Sequence, residues 1–156
     1  MAHYHTLQEF LPGMIKEGKG TIVTISSTLA MLPAARTGLY APTKAAATAL
    51  HHALTAELKE YRGIKTLLVT PGQMSTPLFE GVETPSRVFA PVLEPVEVAR
   101  EVIRAIDEGR GGELAMPLYA RWIGVMGALP VGVQRGLRWW SGADGAMRGL
   151  KGGKTE

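Results

Sequence analysis

Apolar positions along this chain change period several times, and each change predicts an element. Leu7, Phe10, Leu11 and Met14 recur at helical spacing within 5–19, and Gly18 and Gly20 stop that helix. Thr21–Ser26 is a short β-branched run, the pattern of a buried strand. A loop with Pro33 and Gly38 follows. Leu39–Tyr61 is alanine-rich with no interior glycine, and reads as a long helix stopped at Gly63. Pro42 falls in its first turn, where a missing N–H is tolerated. Ile64–Val69 reads as a second buried strand, closed by Pro71 and Gly72. Gln73–Leu93 holds Pro77, Pro85 and Pro91 with little periodicity, and reads as a mobile loop. Glu94 and Pro95 open a helix with Val96, Val98, Ala99, Val102, Ile103 and Ile106 on its apolar side, ended by Gly109. Glu113–Met116 is a third strand, and one or two helices broken at Pro130 complete the chain.

Helix, strand, helix, strand, helix, strand is the order of an α/β domain with a parallel sheet. Such sheets bind ligands at the carboxyl ends of their strands. Two polar clusters fall there: Ser26 and Ser27 after the first strand, and Thr70, Pro71 and Gly72 after the second. The pattern divides the chain into 1–117, which carries the alternation, and a C-terminal extension, 118–156.

Composition narrows the chemistry. With 46% hydrophobic and 20% charged residues the chain is an ordinary globular sequence, and 156 residues fit one core. Without cysteine there is no disulfide framework, thiolate zinc site or cysteine nucleophile, which fits a reducing compartment. The net charge of +3 is uneven: 118–156 has six basic and two acidic residues, leaving 1–117 at −1. With Trp122, Trp139 and Trp140 interleaved, 118–141 reads as an amphipathic segment for a membrane surface, or as a solvated helix face. Its longest uncharged run, Trp122–Gln134, is shorter than the ~20 apolar residues of a spanning helix. No nucleic-acid recognition motif accompanies the basic charge, and no secretory leader opens the sequence.

One constellation carries chemistry. Tyr40 and Lys44 stand four apart at the start of the long helix, so they share one face. A tyrosine phenol, with pKa about 10, is a weak acid at neutral pH, and a neighbouring ammonium favours its phenolate. The pair is therefore a proton-transfer device. Ser27, at a strand end facing that helix, adds a hydroxyl to hold a carbonyl or alcohol oxygen. Alone, a tyrosine and a lysine four apart are usually an exposed pair. A serine after a β-branched strand, Tyr-x-x-x-Lys opening an alanine-rich helix, and a strand ending in Pro-Gly make a narrower pattern.

This joint pattern resembles the short-chain dehydrogenase/reductase family. The stretches that carry it are TIVTISSTLAMLPAARTGLYAPTK (Thr21–Lys44) and KTLLVTPGQMST (Lys65–Thr76). The resemblance implies Ser27, Tyr40 and Lys44 as catalytic residues, with Tyr40 and Lys44 also contacting the nicotinamide ribose of NAD or NADP. It implies Pro71, Gly72, Met74 and Thr76 as the loop around the nicotinamide. It places 73–93, with Phe79, Val82 and Phe89, over a lipophilic substrate pocket, and makes Ser27 and Phe79 substrate contacts. The tail segment LPVGVQRGLRWWSGADGAMRG looks like the retinol dehydrogenase branch, which implies a retinoid- or steroid-like alcohol or ketone. It also implies a cytoplasmic enzyme held peripherally at the endoplasmic reticulum or a lipid droplet. In that family the helix at 39–61 often packs against its copy in a dimer. Ala45, Ala46, Ala47, Ala49 and Ala53 would permit this, or close packing within one chain.

Three family features are absent from these residues: the Gly-rich turn that holds the pyrophosphate, the Asn-Asn-Ala-Gly stretch, and the helical asparagine of the catalytic tetrad. Gly18 and Gly20 lead into a strand, and the Gly149–Thr155 stretch has the wrong spacing for a phosphate loop. The expected fold is therefore a partial doubly wound Rossmann-type sheet with its N-terminal βαβ units missing. Its first strand would show an unpaired edge, and the chain would bind nicotinamide cofactor poorly. The alternative function is a non-catalytic scaffold, or a membrane- or partner-binding remnant of the fold. His3, His5, His51 and His52 show no spacing that shares a metal, so no metal site is expected.

Overall fold

The structure, a computed structural model, describes residues 2–79, 81, 82, 84 and 90–147. Phe89, Pro85, Arg148, Lys151, Lys154 and the Gly149–Thr155 stretch lie outside the described residues.

Three strands, β1 (Gly20–Ile25), β2 (Ile64–Pro71) and β3 (Gly112–Met116), form one parallel sheet in the order β1-β2-β3. Gly20 stands opposite Ile64 and Ile25 opposite Val69. On the other side of β2, Leu67 stands opposite Gly112 and Pro71 opposite Met116. β2 runs two residues past its expected end because Thr70 and Pro71 keep this pairing, and Gly72 N then donates to Met116 O at 2.7 Å. As the central strand it is covered on both faces, and Val69 and Thr70 have no exposure (0%). Among the described residues the outer edge of β1 has no strand beside it.

Alternation along β1 and β2 sends side chains to two cores, because successive strand residues face opposite sides. Ile22 and Ile64 meet α1 (Ala2–Glu17) and α2 (Tyr40–Glu57) through Leu7, Leu11, Met14, Ile15 and Leu54. Val23, Leu67 and Val69 meet α3 (Pro95–Asp107) through Val98, Val102 and Ala105. Helices therefore cover both faces of a parallel sheet. α3 starts with Pro95 in its first turn and a reciprocal capping box between Glu94 and Glu97. Only part of its expected apolar side is covered: Val98, Val102 and Ala105 face the sheet, while Val96, Ile103 and Ile106 are exposed.

The long helix is also shorter than expected. Leu39 is its N-cap, and after Glu57 the chain tightens into a 3-10 turn, Leu58–Glu60. The segment read as a mobile loop is tied down where it is described. Met74 bridges to Leu93, Pro77–Phe79 forms a 3-10 turn, and Gln73 Nε2 donates to Val82 O at 2.8 Å. Past β3 the chain forms α4 (Ala120–Gly127), α5 (Val131–Ser141) and the short α6 (Ala143–Ala146). Among the described residues no helix is long and apolar enough to cross a membrane.

Candidate active site

The site forms where the strands end. Ser26, 1% exposed, closes β1 by bonding Thr48 Oγ1 of α2 at 2.6 Å. Thr48 Oγ1 donates to Lys44 O at 3.0 Å. Two further polar pairs tie α2 to the sheet: His51 Nδ1 with Thr24 Oγ1 at 2.9 Å, and Thr55 Oγ1 with Thr66 Oγ1 at 2.9 Å. Lys44, Thr48, His51 and Thr55 recur at steps of four, three and four, so they lie on one helical face. This polar seam fixes the rotation of α2 and brings Lys44 to the carboxyl end of β1. There Lys44 Nζ donates to Ile25 O at 2.9 Å and sits 5.8 Å from the Tyr40 ring centroid. Partial burial pushes the Lys44 pKa below that of an ordinary lysine.

Ser27 leaves the strand in extended conformation and caps a 3-10 turn, Thr28–Ala30. Its Oγ accepts from Leu29 N at 3.2 Å. Among the described residues nothing in the protein accepts its hydroxyl proton, although the residue is 4% exposed. The hydroxyl is thus free to donate to a ligand oxygen. The Tyr40 ring meets Phe79 edge to face, with centroids 6.0 Å apart. Among the described residues no hydrogen bond joins the Tyr40 phenol to Ser27 or Lys44.

Beside these groups lies a cavity of ≈ 560 Å³, within the ordinary range of about 300–1,000 Å³ for small-molecule sites. Ser27, Thr28, Gly72 and Tyr119 line its polar end. Phe79, Val82, Ile123, Met126, Leu137 and Trp140 supply apolar wall. Of the expected site residues, Ser27, Gly72 and Phe79 border the cavity. Tyr40 is not part of the lining; its ring meets Phe79, which is, and Lys44 Nζ lies 5.8 Å from the Tyr40 ring centroid. Pro71 ends β2, Met74 bridges to Leu93, and Thr76 N bonds Met74 O at 2.9 Å, so these three shape the turn leading to Phe79.

Two groups escape a sequence reading. The seam Thr48–His51–Thr55 had a signal, a polar stripe of helical period within an alanine-rich helix. Tyr119 had none. Its hydroxyl stands against Gly72, far earlier in the chain, and beside Thr28 in the cavity lining.

Comparisons with known proteins identify the family and the fold. Residues 1–86 match the family model described as short chain dehydrogenase. An uncharacterized oxidoreductase of Saccharomyces cerevisiae, TDA5, is 36% identical over 140 residues, covering 88% of this chain and 43% of that protein. Retinol dehydrogenase 10 of Homo sapiens is 35% identical over 109 residues, covering 67% of this chain and 32% of that protein. A short chain dehydrogenase from Burkholderia cenocepacia, solved in complex with NADP, superimposes with a TM-score of 0.65 at 23% identity, over 86% of this chain and 52% of that one. The chain spans less than half the length of these two curated relatives.

Proposed function

The chain belongs to the short chain dehydrogenase family, and from that membership we propose an NAD- or NADP-dependent oxidoreductase acting on a lipophilic alcohol or carbonyl of retinoid or steroid type. The observation that carries the proposal is the junction of two features at the strand ends. An apolar cavity opens on a serine hydroxyl with an unassigned proton, and the tyrosine of a Tyr–Lys pair packs edge to face on Phe79 of its wall.

Each group has a role in alcohol oxidation. Ser27 donates its free O–H to the substrate oxygen. Tyr40 takes the hydroxyl proton. Lys44, held by Ile25 O, keeps a cation beside the developing phenolate. A nicotinamide cofactor, when bound, supplies the hydride acceptor. The donors here fit its ribose end, since Lys44 uses one of its three N–H groups on Ile25 O. Tyr40, Pro71, Gly72, Met74 and Thr76 would complete that end. The 156 residues include no G-x-G-x-x-G turn for the pyrophosphate. Phe79 and Ser27 are the proposed substrate contacts.

The test uses a longer protein in which these residues are joined to a Gly-rich nucleotide-binding turn. Tyr40→Phe removes oxidation of retinol-class alcohols there and leaves thermal stability unchanged. Retained turnover overturns the assignment. The missing Gly-rich turn favours a second reading for the 156 residues alone, a binding module on the same scaffold with little affinity for nicotinamide cofactor. Titrating NADH and NADPH by fluorescence separates the two, since micromolar binding rejects the second.

We extend the proposal to two surfaces. The exposed stripe of Ala46, Ala49 and Ala53 on α2 suits close approach of a second copy. Trp122, Val125, Val131 and Trp139, exposed on α4 and α5 beside Arg121 and Arg135, suit peripheral contact with a membrane such as that of the endoplasmic reticulum or a lipid droplet.

A further inference from the structure

Among the described residues that line the cavity, one carries a formal charge: Arg138 of α5. Its side chain is 20% exposed, and a guanidinium keeps its charge at every accessible pH. Its neighbours locate it. Nε lies 3.5 Å from Asp144 Oδ2, and Asp144 Oδ1 accepts from Ala35 N at 2.9 Å. The guanidinium therefore sits at the junction of α6 with the loop after β1, where Ala34 and Ala143, the chain neighbours of Ala35 and Asp144, both line the cavity. Asp144 does not saturate it. A charge-assisted N–H···O bond runs about 2.7–2.9 Å, and the contact here is longer. The carboxylate is 44% exposed and uses its other oxygen on the backbone. Among the described residues no hydrogen bond leaves either Nη group, and these carry most of the guanidinium donors. The apolar wall that follows Arg138 into the cavity limits the water available to them.

Resting on the reading that this cavity takes an apolar alcohol or carbonyl, we propose that its ligand also bears a carboxylate, which Arg138 receives. The ligand class is then a hydroxy or oxo acid with a hydrocarbon body: its reacting oxygen at Ser27, its body along Ile123, Met126 and Leu137, and its carboxylate at Arg138. The two Nη groups form a fork that matches the two oxygens of a carboxylate. A neutral hydrocarbon alcohol would leave those donors unused. Arg138 binds and selects; it takes no part in the proton transfer assigned to Ser27, Tyr40 and Lys44. Selection of the ligand thus comes from the helices after β3, and the chemistry from the strand ends before it.

The chain itself serves for the test, with two fluorescent probes of one hydrocarbon chain, cis-parinaric acid and its methyl ester, titrated below their micelle concentrations at pH 8, where the acid is ionised. The wild-type chain is expected to bind the acid about three- to tenfold more tightly than the ester. Arg138→Gln removes that preference while the Kd of the ester stays within about twofold, which also shows that the cavity survives. Arg135→Gln, on the same helix and outside the described lining, leaves the preference in place. Equal wild-type affinity for the two probes overturns the proposal. So does loss of the preference in Arg135→Gln, which would assign it to the general basic charge of the segment. Equal weakening of both probes by Arg138→Gln would assign the side chain to packing and overturn it as well. If the wild-type chain binds neither probe, the cavity reading itself fails; ester binding without a preference for the acid keeps that reading and rejects this one.

Discussion

Gly72 and the Tyr119 hydroxyl share one space. Glycine is present at 72 because a methyl group there would meet the phenol oxygen at 2.5 Å and Pro117 Cδ at 3.1 Å. Gly72→Ala must therefore displace the tyrosine or the turn, at a cost of about 1–3 kcal/mol, the usual range for overpacking. In the Tyr119→Phe background the nearest obstacle is gone and part of that cost disappears. Denaturant unfolding of the four members of this cycle checks the coupling. Additive losses would show that the two residues do not share the space.

Lys44 predicts an asymmetric pH response. Desolvation lowers its pKa, so the ammonium is lost at a lower pH than for an exposed lysine. If turnover needs that cation, the alkaline limb of kcat lies below the ordinary lysine range. Lys44→Arg, which stays charged at all accessible pH, should move that limb upward while lowering kcat, because the guanidinium does not reproduce the bond to Ile25 O. A pH–rate profile in the longer protein reads both effects. An alkaline limb unmoved by the substitution would remove Lys44 from the titration.

Below neutrality His51 takes over. Burial, and secondarily the positive charge of His52, lowers its pKa. The fold therefore favours the neutral ring that pairs with Thr24. The unfolded chain takes up a proton near pH 6.5, before the folded one does. Stability from this group is complete above that value and declines as pH falls from it toward the lower folded pKa. Thermal melts between pH 7 and pH 5 should show the decline, and His51→Gln should flatten it. An equally steep slope in the variant would place the acid sensitivity elsewhere.

Asp144 fastens α5 and α6 to the loop after β1. Its Oδ1 accepts from Ala35 N at 2.9 Å, and its Oδ2 lies 3.5 Å from Arg138 Nε. The carboxylate is 44% exposed, so the ion pair contributes at most about 1 kcal/mol to global stability. The local effect should be larger. Asp144→Ala is expected to leave the melting temperature nearly unchanged, while amide exchange in 131–146 rises. Unchanged exchange there would mean that packing around Leu137 and Met147 holds these helices without the carboxylate.

Much of the layout was legible in the sequence, for identifiable reasons. β-branched runs marked β1 and β2, although only β2 is buried along most of its length; β1, expected to be buried, is half-buried with Ile25 exposed, because it lies at the edge of the sheet. The spacing Tyr40–Lys44 survived because helix geometry is local. What escaped depends on distant pairing. β2 continues to Pro71 only because Met116 stands opposite, and the segment after Gln73 is held by Leu93 and Val82. Val96, Ile103 and Ile106 satisfied the apolar period of α3 but are left uncovered, since periodicity does not say how wide a stripe the sheet can cover. Tyr119 belongs to the segment drawn apart as an extension, and only the folded chain brings it to Gly72.

The order β1-β2-β3 also bears on handling the molecule at the bench. Among the described residues the outer edge of β1, which ends in Ile25 at 40% exposure, has no strand beside it and only the Ile25 carbonyl occupied, by Lys44 Nζ, so it is a template for another chain's backbone. Concentrated samples should thicken into oligomers through that row, and an extended peptide or neighbouring strand that zips onto it should keep the preparation clear.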